Sequence, residues 1–276
     1  MAVKTQHRQS IQHHSNVAEA CDIICGILIH FARKYLYLRT DRKAIFHLLA
    51  VFLLSVFAAV VPLPNHYYLV KKNNILNSYF VKLGWFWTCF VVCPFIWYIS
   101  IAVGQTISGI MQNLSRMIIA TTIWYYCTHA LEFVVFEQMT GHCHGSKLSP
   151  RSSCTVDGGK WIPGFDISGH CFILIYSSLI ICEEALAFRS VTIVHRIRKM
   201  PSVKNENLIK IFFISMCALH LLWDFELLIS VLYYHHIYHK VMGALVAVLC
   251  WYFTYHIWYQ KVGIPPPPLQ HTRKTT

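Results

Sequence analysis

The chain has 276 residues, of which 55% are hydrophobic and only 13% are charged, and its formal net charge is +12. A typical soluble domain has about 25% charged residues, so the composition excludes a soluble globular protein and predicts an integral membrane protein. No soluble segment combines a basic stripe with interleaved aromatic residues, and nucleic acid is therefore not an expected partner.

Residues 1–43 form a polar and basic N-terminal arm. The arm lacks the short apolar core and cleavage site of a removable signal peptide. Apolar residues recur at helical spacing between residues 18 and 38 and are followed by arginines and lysines. This pattern predicts a cytosolic arm with an interfacial helix on a membrane face, and a disordered tail is the alternative.

Six apolar runs follow within residues 44–260, each near the roughly 20 residues that a membrane-spanning helix needs. They predict an all-α membrane domain with six transmembrane helices, at residues 44–63, 84–103, 117–136, 167–188, 208–233 and 241–259. Pro94 predicts a kink in the second helix. Residues 261–276 are predicted to form a proline-rich cytosolic tail.

Most of the 24 lysines and arginines lie in the N-terminal arm, the second and fourth loops and the C-terminal tail. The positive-inside rule therefore places both termini in the cytosol, and the odd-numbered loops on the lumenal or outer face. The glycosylation sequon at Asn113 falls in a predicted cytosolic loop and should carry no glycan. Arg273 and Lys274, near the C-terminus, resemble a retrieval signal for the endoplasmic reticulum.

The stretch Gly-Phe-Asp-Ile-Ser-Gly-His at residues 164–170 lies where the third loop becomes the fourth span. Ser168 and Gly169 at a helix start predict an anion site, because glycine lets the backbone approach and the free N–H groups point at the anion. His170 can protonate a leaving oxygen near neutral pH. The same residues could equally serve as a helix cap, a turn and an interfacial histidine.

A second histidine-rich stretch, which begins at His235, ends the fifth span on the same predicted face as His170. Two histidines suffice for double-displacement phosphoryl transfer, in which one attacks phosphorus and the other protonates the leaving oxygen. Protein donors alone can stabilise the developing charge, so no metal or cofactor is expected.

Cys143 and Cys154 lie in the predicted lumenal third loop, where an oxidising environment permits a disulfide. Spacing alone leaves both the bonded and the free state open. His142 and His144 flank the first cysteine, but no second Cys/His pair stands at finger-like spacing, so this is at most half a metal site.

Ionisable residues within apolar runs usually face a cavity or each other. His220 and Asp224 are four residues apart and share one helix face. They form a pair that supports the candidate site, line a lipid site, or make a structural interhelical bond. The remaining members of this group are His129, Glu132, Glu183, Glu184, Lys210 and Glu226.

Three functions compete on these residues alone. The first is a lumenal phosphoryl hydrolase that uses His170 and His235. The second is a di-iron lipid oxidase, prompted by His235-His236-x-x-His239, which lacks the full ligand set of such a site. The third is a non-enzymatic lipid-binding or scaffold protein, which ranks level with the first.

Several stretches resemble the fat storage-inducing transmembrane (FIT) proteins, a family related to lipid phosphate phosphatases. The resemblance covers about residues 76–260 and is carried by Trp161 through His170 with Glu183-Glu184, Asn77 through Lys82, Ile123-Trp124-Tyr125, His235 through Gly243, and Trp251 through Tyr255. It implies a six-span protein of the endoplasmic reticulum membrane with both termini cytosolic, a lumenal active site, a phosphatase-like helical bundle and a role in lipid droplet formation.

The resemblance also implies a reaction, the hydrolysis of fatty acyl-CoA to acyl 4′-phosphopantetheine and adenosine 3′,5′-bisphosphate. By the same carry-over His170 is the acid and His235 the nucleophile that would form a phosphohistidine. The alternative function is a non-enzymatic protein that binds triacylglycerol or diacylglycerol and partitions neutral lipid into droplets.

The chain departs from the phosphatase pattern in its charged residues. The first motif with its lysine and arginine is missing, Ile167 replaces a proline, and His239 stands where an orienting aspartate is expected. Lys240, Lys160 or the backbone N–H groups near Gly169 are the candidates for binding phosphate in place of the missing residues. We expect slow turnover, and an activated anhydride should suit the site better than a monoester.

Overall fold

The computed structural model describes residues 2–64, 66–71, 73–128, 142–144, 151–156, 158, 160–162, 168–190, 205–234 and 236–268. In chain order the elements are α1 (Ala2–Leu36), α2 (Thr40–Val60), a 3-10 turn (Tyr68–Val70), a π-helical turn (Leu76–Val81), α3 (Gly84–Val103), α4 (Ile107–Tyr125), β1 (His142–His144), α5 (Arg151–Val156), β2 (Lys160–Ile162), α6 (Gly169–Ala185), α7 (Glu206–Tyr233), α8 (Ile237–Tyr252), a second π-helical turn (Phe253–Trp258) and α9 (Tyr259–Val262). The predicted all-α class is confirmed, since the strands of the described part are one short antiparallel pair.

Five helical segments within these ranges are long and apolar enough to cross a membrane, namely Thr40–Val60, Gly84–Val103, Gly169–Ser190, Glu206–Tyr233 and Ile237–Val262. They match the first, second, fourth, fifth and sixth predicted spans. Pro94 lies inside the second of these segments, which continues as a helix on both sides of it. The predicted third span, 117–136, is described only to residue 128, so six spans stay a prediction.

Helix α4 begins at Ile107, well before the start of the third predicted span. The difference arises from Asn113 and Arg116, polar residues that look like loop residues in the sequence but are buried in the helix. The Asn113 amide donates to Ser100 Oγ at 3.0 Å and to Gln105 Oε1 at 2.6 Å. The sequon at Asn113 therefore lies on a buried helix face rather than in the predicted loop.

Helix α6 is the centre of the bundle. Every residue from Cys171 to Ala185 is buried, whereas the other four spanning segments bury only part of their surface. A helix that is apolar on all sides is stable where other helices surround it, and α6 contacts α2, α3, α7 and α8. The start of α6, which carries the candidate acid, is thereby fixed relative to the rest of the fold.

A buried ion pair ties α4 to the far end of α6. The Arg116 guanidinium donates to both Glu184 oxygens, with Nε–Oε1 at 2.8 Å and Nη2–Oε2 at 2.7 Å. Tyr255 donates its hydroxyl to the same carboxylate at 2.9 Å. Arg116 also donates to the Pro266 carbonyl at 3.0 Å, so the start of the proline-rich tail joins the network. Charged groups buried in this way are stable only when their hydrogen bonds are made.

Helix α1 packs against α7 and α6, and the predicted helix at residues 18–38 lies largely within it. Ile29, Ala32 and Leu36 are buried on one side. The exposed side is also apolar and presents Ile23, Ile24, Ile27, Leu28 and Phe31. Such an exposed apolar side suits contact with lipid acyl chains.

Asp224 links α1, α2 and α7. It accepts hydrogen bonds from His47 Nε2 at 2.9 Å and from the Tyr35 hydroxyl, and His220 Nδ1 lies 3.3 Å from Asp224 Oδ2 as an ion-pair contact. The predicted interhelical bond is therefore present, and it joins Asp224 to His47 and Tyr35. Asp224 and His47 also line an apolar cavity of about 200 Å³ between α2 and α7 that extends to Val231.

The ion pair predicts a large effect of Arg116→Leu on stability. The substitution leaves the Glu184 carboxylate buried without its guanidinium, which costs on the order of 3–5 kcal/mol. Thermal unfolding of the purified chain in detergent should show the loss, and adding Glu184→Gln should recover part of it. Arg39→Leu, in the exposed Arg39–Asp41 pair, is the matched control and should leave the midpoint unchanged. Equal midpoints for the two variants would contradict this account.

Candidate functional site at the start of helix α6

Ser168 caps α6, as its position before an apolar run suggests. Its hydroxyl accepts the N–H of Cys171 at 3.4 Å, and its side chain is buried. Gly169 follows, and among the described residues no atom beyond its own turn lies within 4 Å of the place where a side chain would begin. The cap uses the N–H of Cys171, and the N–H of Phe172 bonds the Ser168 carbonyl at 3.0 Å. A helix start of this kind favours an anion, and Gly169 and His170 are the residues whose N–H groups come before these bonds. Residues 163–167, which complete the motif, lie outside the described residues.

His170 occupies the first turn of α6 and is half-buried. Its Nε2 lies 2.9 Å from Oδ1 of Asn77. Its ring packs edge-on against Tyr234, with ring centroids 6.0 Å apart. Burial, together with the Glu226 carboxylate, raises the pKa of the Tyr234 phenol above its ordinary value, so this ring stays neutral beside the histidine.

The contact from Asn77 was not predicted from the sequence. Asn77 lies in the π-helical turn before α3, and its side chain is buried. Its backbone N–H donates to Asn74 Oδ1 at 2.6 Å, and the Asn74 amide donates to the Leu69 carbonyl at 2.6 Å. The available signal in the sequence was the presence of Asn74 and Asn77 just before an apolar run. No sequence pattern connected these two residues with His170.

The second histidine stretch packs directly against the start of α6. The Ser168 N–H donates to the His239 carbonyl at 3.0 Å. A side chain at Gly243 would begin 2.7 Å from the Ser168 carbonyl oxygen, so only glycine permits this approach. His235 lies outside the described residues, but its neighbour Tyr234 contacts the His170 ring. The structure thus brings the two predicted stretches together through the residues that flank His235.

Lys240, a predicted phosphate-binding residue, contacts a backbone carbonyl in the structure. The side chain is buried, and its ammonium donates to the Val231 carbonyl at 2.6 Å. Val231 lies in the last turn of α7 and Lys240 in the first turn of α8. The lysine therefore closes the segment that carries His235 and satisfies a carbonyl at a helix end. Lys160, the other candidate, is exposed on β2.

The third loop contains the Cys143–Cys154 disulfide, so the bonded alternative is the one present. Strand β1 pairs with β2, with Cys143 opposite Trp161 and His144 opposite Lys160. In the part of the chain that the structure describes, no group of three or more His, Cys, Asp or Glu side chains is arranged to hold a metal ion. His129 and Glu132 lie outside that part.

Comparison with known proteins identifies the family. Residues 65–255 match the family model described as fat storage-inducing transmembrane protein. The chain belongs to the FIT family. No solved structure matches it.

Three relatives illustrate the similarity, and each is named acyl-coenzyme A diphosphatase FITM2. The relative from Caenorhabditis elegans is 37% identical over 254 residues, which cover 90% of this chain and 89% of the relative. The relative from Drosophila melanogaster is 35% identical over 88% of this chain and 64% of its own length. The human relative is 33% identical over 77% of this chain and 81% of its own length.

The close approach of α8 to α6 predicts that Gly243→Ala destabilises the protein. The new methyl group meets a backbone oxygen, so the two helix starts must separate, at a cost of about 1–3 kcal/mol. Thermal unfolding in detergent measures the change. Gly26→Ala in α1, where nothing lies within 4 Å, is the control and should not lower the midpoint. A Gly243→Ala protein as stable as wild type would show that the helices have room to move apart.

Proposed function

We propose that this protein is a fatty acyl-CoA diphosphatase of the endoplasmic reticulum membrane. It hydrolyses the anhydride of acyl-CoA to acyl 4′-phosphopantetheine and adenosine 3′,5′-bisphosphate and supports lipid droplet formation. The observation that carries the proposal is the packing of the His170 turn against the α7–α8 segment, in which Ser168 bonds His239. The printed names of the relatives, acyl-coenzyme A diphosphatase, support the substrate and the reaction.

The reaction follows from two histidines and a helix start. A nitrogen of His235 attacks the phosphorus next to pantetheine, and the P–O bond to the adenosine bisphosphate breaks. His170 gives its proton to the departing oxygen. Water then attacks the phosphohistidine, the P–N bond breaks, and His170 recovers a proton from that water. N–H groups of the first turn of α6 stabilise the phosphoryl oxygens.

The acyl chain needs an apolar path beside this site. The cavity between α2 and α7 reaches Val231, whose carbonyl binds Lys240 at the edge of the histidine segment. Its remaining lining is mostly aliphatic, which suits an acyl chain. The cavity thus supports a substrate with one apolar and one phosphate-bearing end.

The proposed topology places the third loop and the site in the lumen and both termini in the cytosol. The Cys143–Cys154 disulfide supports it, because disulfides form and persist in the lumen rather than in the cytosol. The excess of basic residues in the arm, the even-numbered loops and the tail supports the same orientation.

Turnover of oleoyl-CoA by the purified protein in detergent tests the function. Wild type should release adenosine 3′,5′-bisphosphate. His170→Ala should lose about 10²- to 10⁴-fold in rate, the contribution of a general acid, and His235→Ala, which removes the nucleophile, should lose at least as much. His142→Ala, an exposed histidine on β1, is the matched control and should retain wild-type activity. If wild type is inactive yet binds triacylglycerol, the neutral-lipid-binding alternative replaces the proposal.

Glycosylation in a eukaryotic host tests the topology. Ser146→Asn with Leu148→Ser creates a sequon in the third loop, and a lumenal loop should then gain a glycan that shifts the band on a gel. Wild type, whose natural sequon at Asn113 is buried in α4, should stay bare and is the control. An altered loop that gains no glycan would contradict the lumenal placement of this loop.

A further inference from the structure

We propose that Asn77 is a positioning residue for His170, which fixes the imidazole so that Nδ1 rather than Nε2 exchanges the proton with the substrate. The inference rests on the proposed function and deepens it. It concerns a residue 93 positions away from the histidine in the chain, on a different element.

The chemistry of the contact defines the tautomer. The atom of Asn77 that faces the ring is Oδ1, 2.9 Å from Nε2. An amide oxygen only accepts hydrogen bonds, so Nε2 must carry the proton in this contact. The proton on Nε2 then stays in place throughout the reaction. The protonated ring gives its other proton, the one on Nδ1, to the leaving phosphate oxygen, and Nδ1 takes a proton back from the attacking water.

The acceptor is held before the substrate arrives. The Asn77 side chain is buried, its N–H is bound by Asn74 Oδ1, and its carbonyl accepts the N–H of Lys82 at 3.1 Å. Asn74 is itself fully buried and anchored to Leu69. The π-helical turn from Leu76 to Val81 is a rare geometry that often marks a functional position. Little reorganisation is therefore needed to keep the amide aimed at His170.

A neutral amide suits an acid that must release its proton. A carboxylate at the same place would bind the imidazolium more strongly, because hydrogen bonds between charged groups are about twice as strong as neutral ones. The proton would then leave less readily. Asn77 orients the ring, as the carboxylate of a catalytic triad does, without holding the protonated form.

The experiment compares Asn77→Ala, Asn77→Asp and Asn73→Ala with wild type in the oleoyl-CoA assay. Asn77→Ala should lower kcat about 10- to 100-fold, by analogy with the loss found when the partner that orients a metal-bound histidine is removed. KM should change little, because the amide touches the ring rather than the substrate. Asn73, exposed and four residues earlier, is the control and should leave both constants unchanged.

The pH profile separates positioning from mere stability. Asn77→Asp, nearly identical in shape, should favour protonated His170 and move the alkaline limb of kcat/KM to higher pH. An Asn77→Asp profile that coincides with wild type, or an Asn77→Ala protein whose activity loss follows a lowered unfolding midpoint, would overturn the inference.

A readout without turnover keeps the inference distinct from the proposed function. In protein with ¹⁵N-labelled histidine, wild type should show the His170 signal of a ring protonated at Nε2, and Asn77→Ala should show a mixture of tautomers. An inactive wild type with this signal would refute the diphosphatase function and leave the tautomer assignment standing. A wild-type signal from a ring protonated at Nδ1 would refute the assignment even if the enzyme is active.

Discussion

The architecture of the candidate site depends on one backbone approach, that of Gly243 to Ser168. The carbonyl oxygen of Ser168 lies 2.7 Å from the point where any other residue at 243 would begin its side chain, and the N–H of Ser168 donates to the His239 carbonyl. These contacts join the start of α6 to the start of α8, although the two lie far apart in the sequence. Because α6 is buried along its length, whatever packs on its first turn is fixed relative to the whole bundle.

The buried cations of the described residues are used to hold the fold together. Arg116 binds Glu184 between α4 and α6, Lys240 binds the Val231 carbonyl, and Lys43 lies 3.1 Å from Cys182 Sγ and over the Tyr35 ring. The bilayer core contains no water that could hydrogen-bond an unsatisfied charge or carbonyl. Each cation therefore stabilises a helix end or an interhelical contact, and its position is decided by the bundle.

Hydropathy predicted the spanning helices well and the polar contacts poorly. The second span was predicted at the residues where α3 begins and ends, because its composition is uniformly apolar. Helix α4 was placed too late, since Asn113 and Arg116 look like loop residues until their partners are known. The partner of Arg116 is 68 residues away, and no local pattern contains that information. The same holds for Asn77 and His170.

The candidate site was predicted in part for a related reason. A motif places Ser168, Gly169 and His170 at a helix start, because capping is local chemistry. The orientation of the loops placed a second histidine stretch on the same face, and the structure brings Tyr234 and His239 to that helix start. The contact of Lys240 with the Val231 carbonyl could not be predicted in this way, because it joins two helix ends. Phosphate binding by Lys240 stays a prediction.

The hydrogen bond from the Lys240 ammonium to the Val231 carbonyl affects which kind of phosphate bond the proposed site can break. One donor of that ammonium is used by the Val231 carbonyl. In the proposed mechanism the helix-start N–H groups stabilise the phosphoryl oxygens, and His170 protonates the departing oxygen. Such donors are weaker than the paired lysine and arginine of the phosphatase pattern. Hydrolysis of a phosphate monoester releases an alkoxide, a poor leaving group that needs strong assistance. Hydrolysis of a phosphate anhydride releases a phosphate, which is a far weaker base and leaves more easily. The proposed histidine acid, oriented by a neutral amide, is therefore better suited to an anhydride such as that of acyl-CoA.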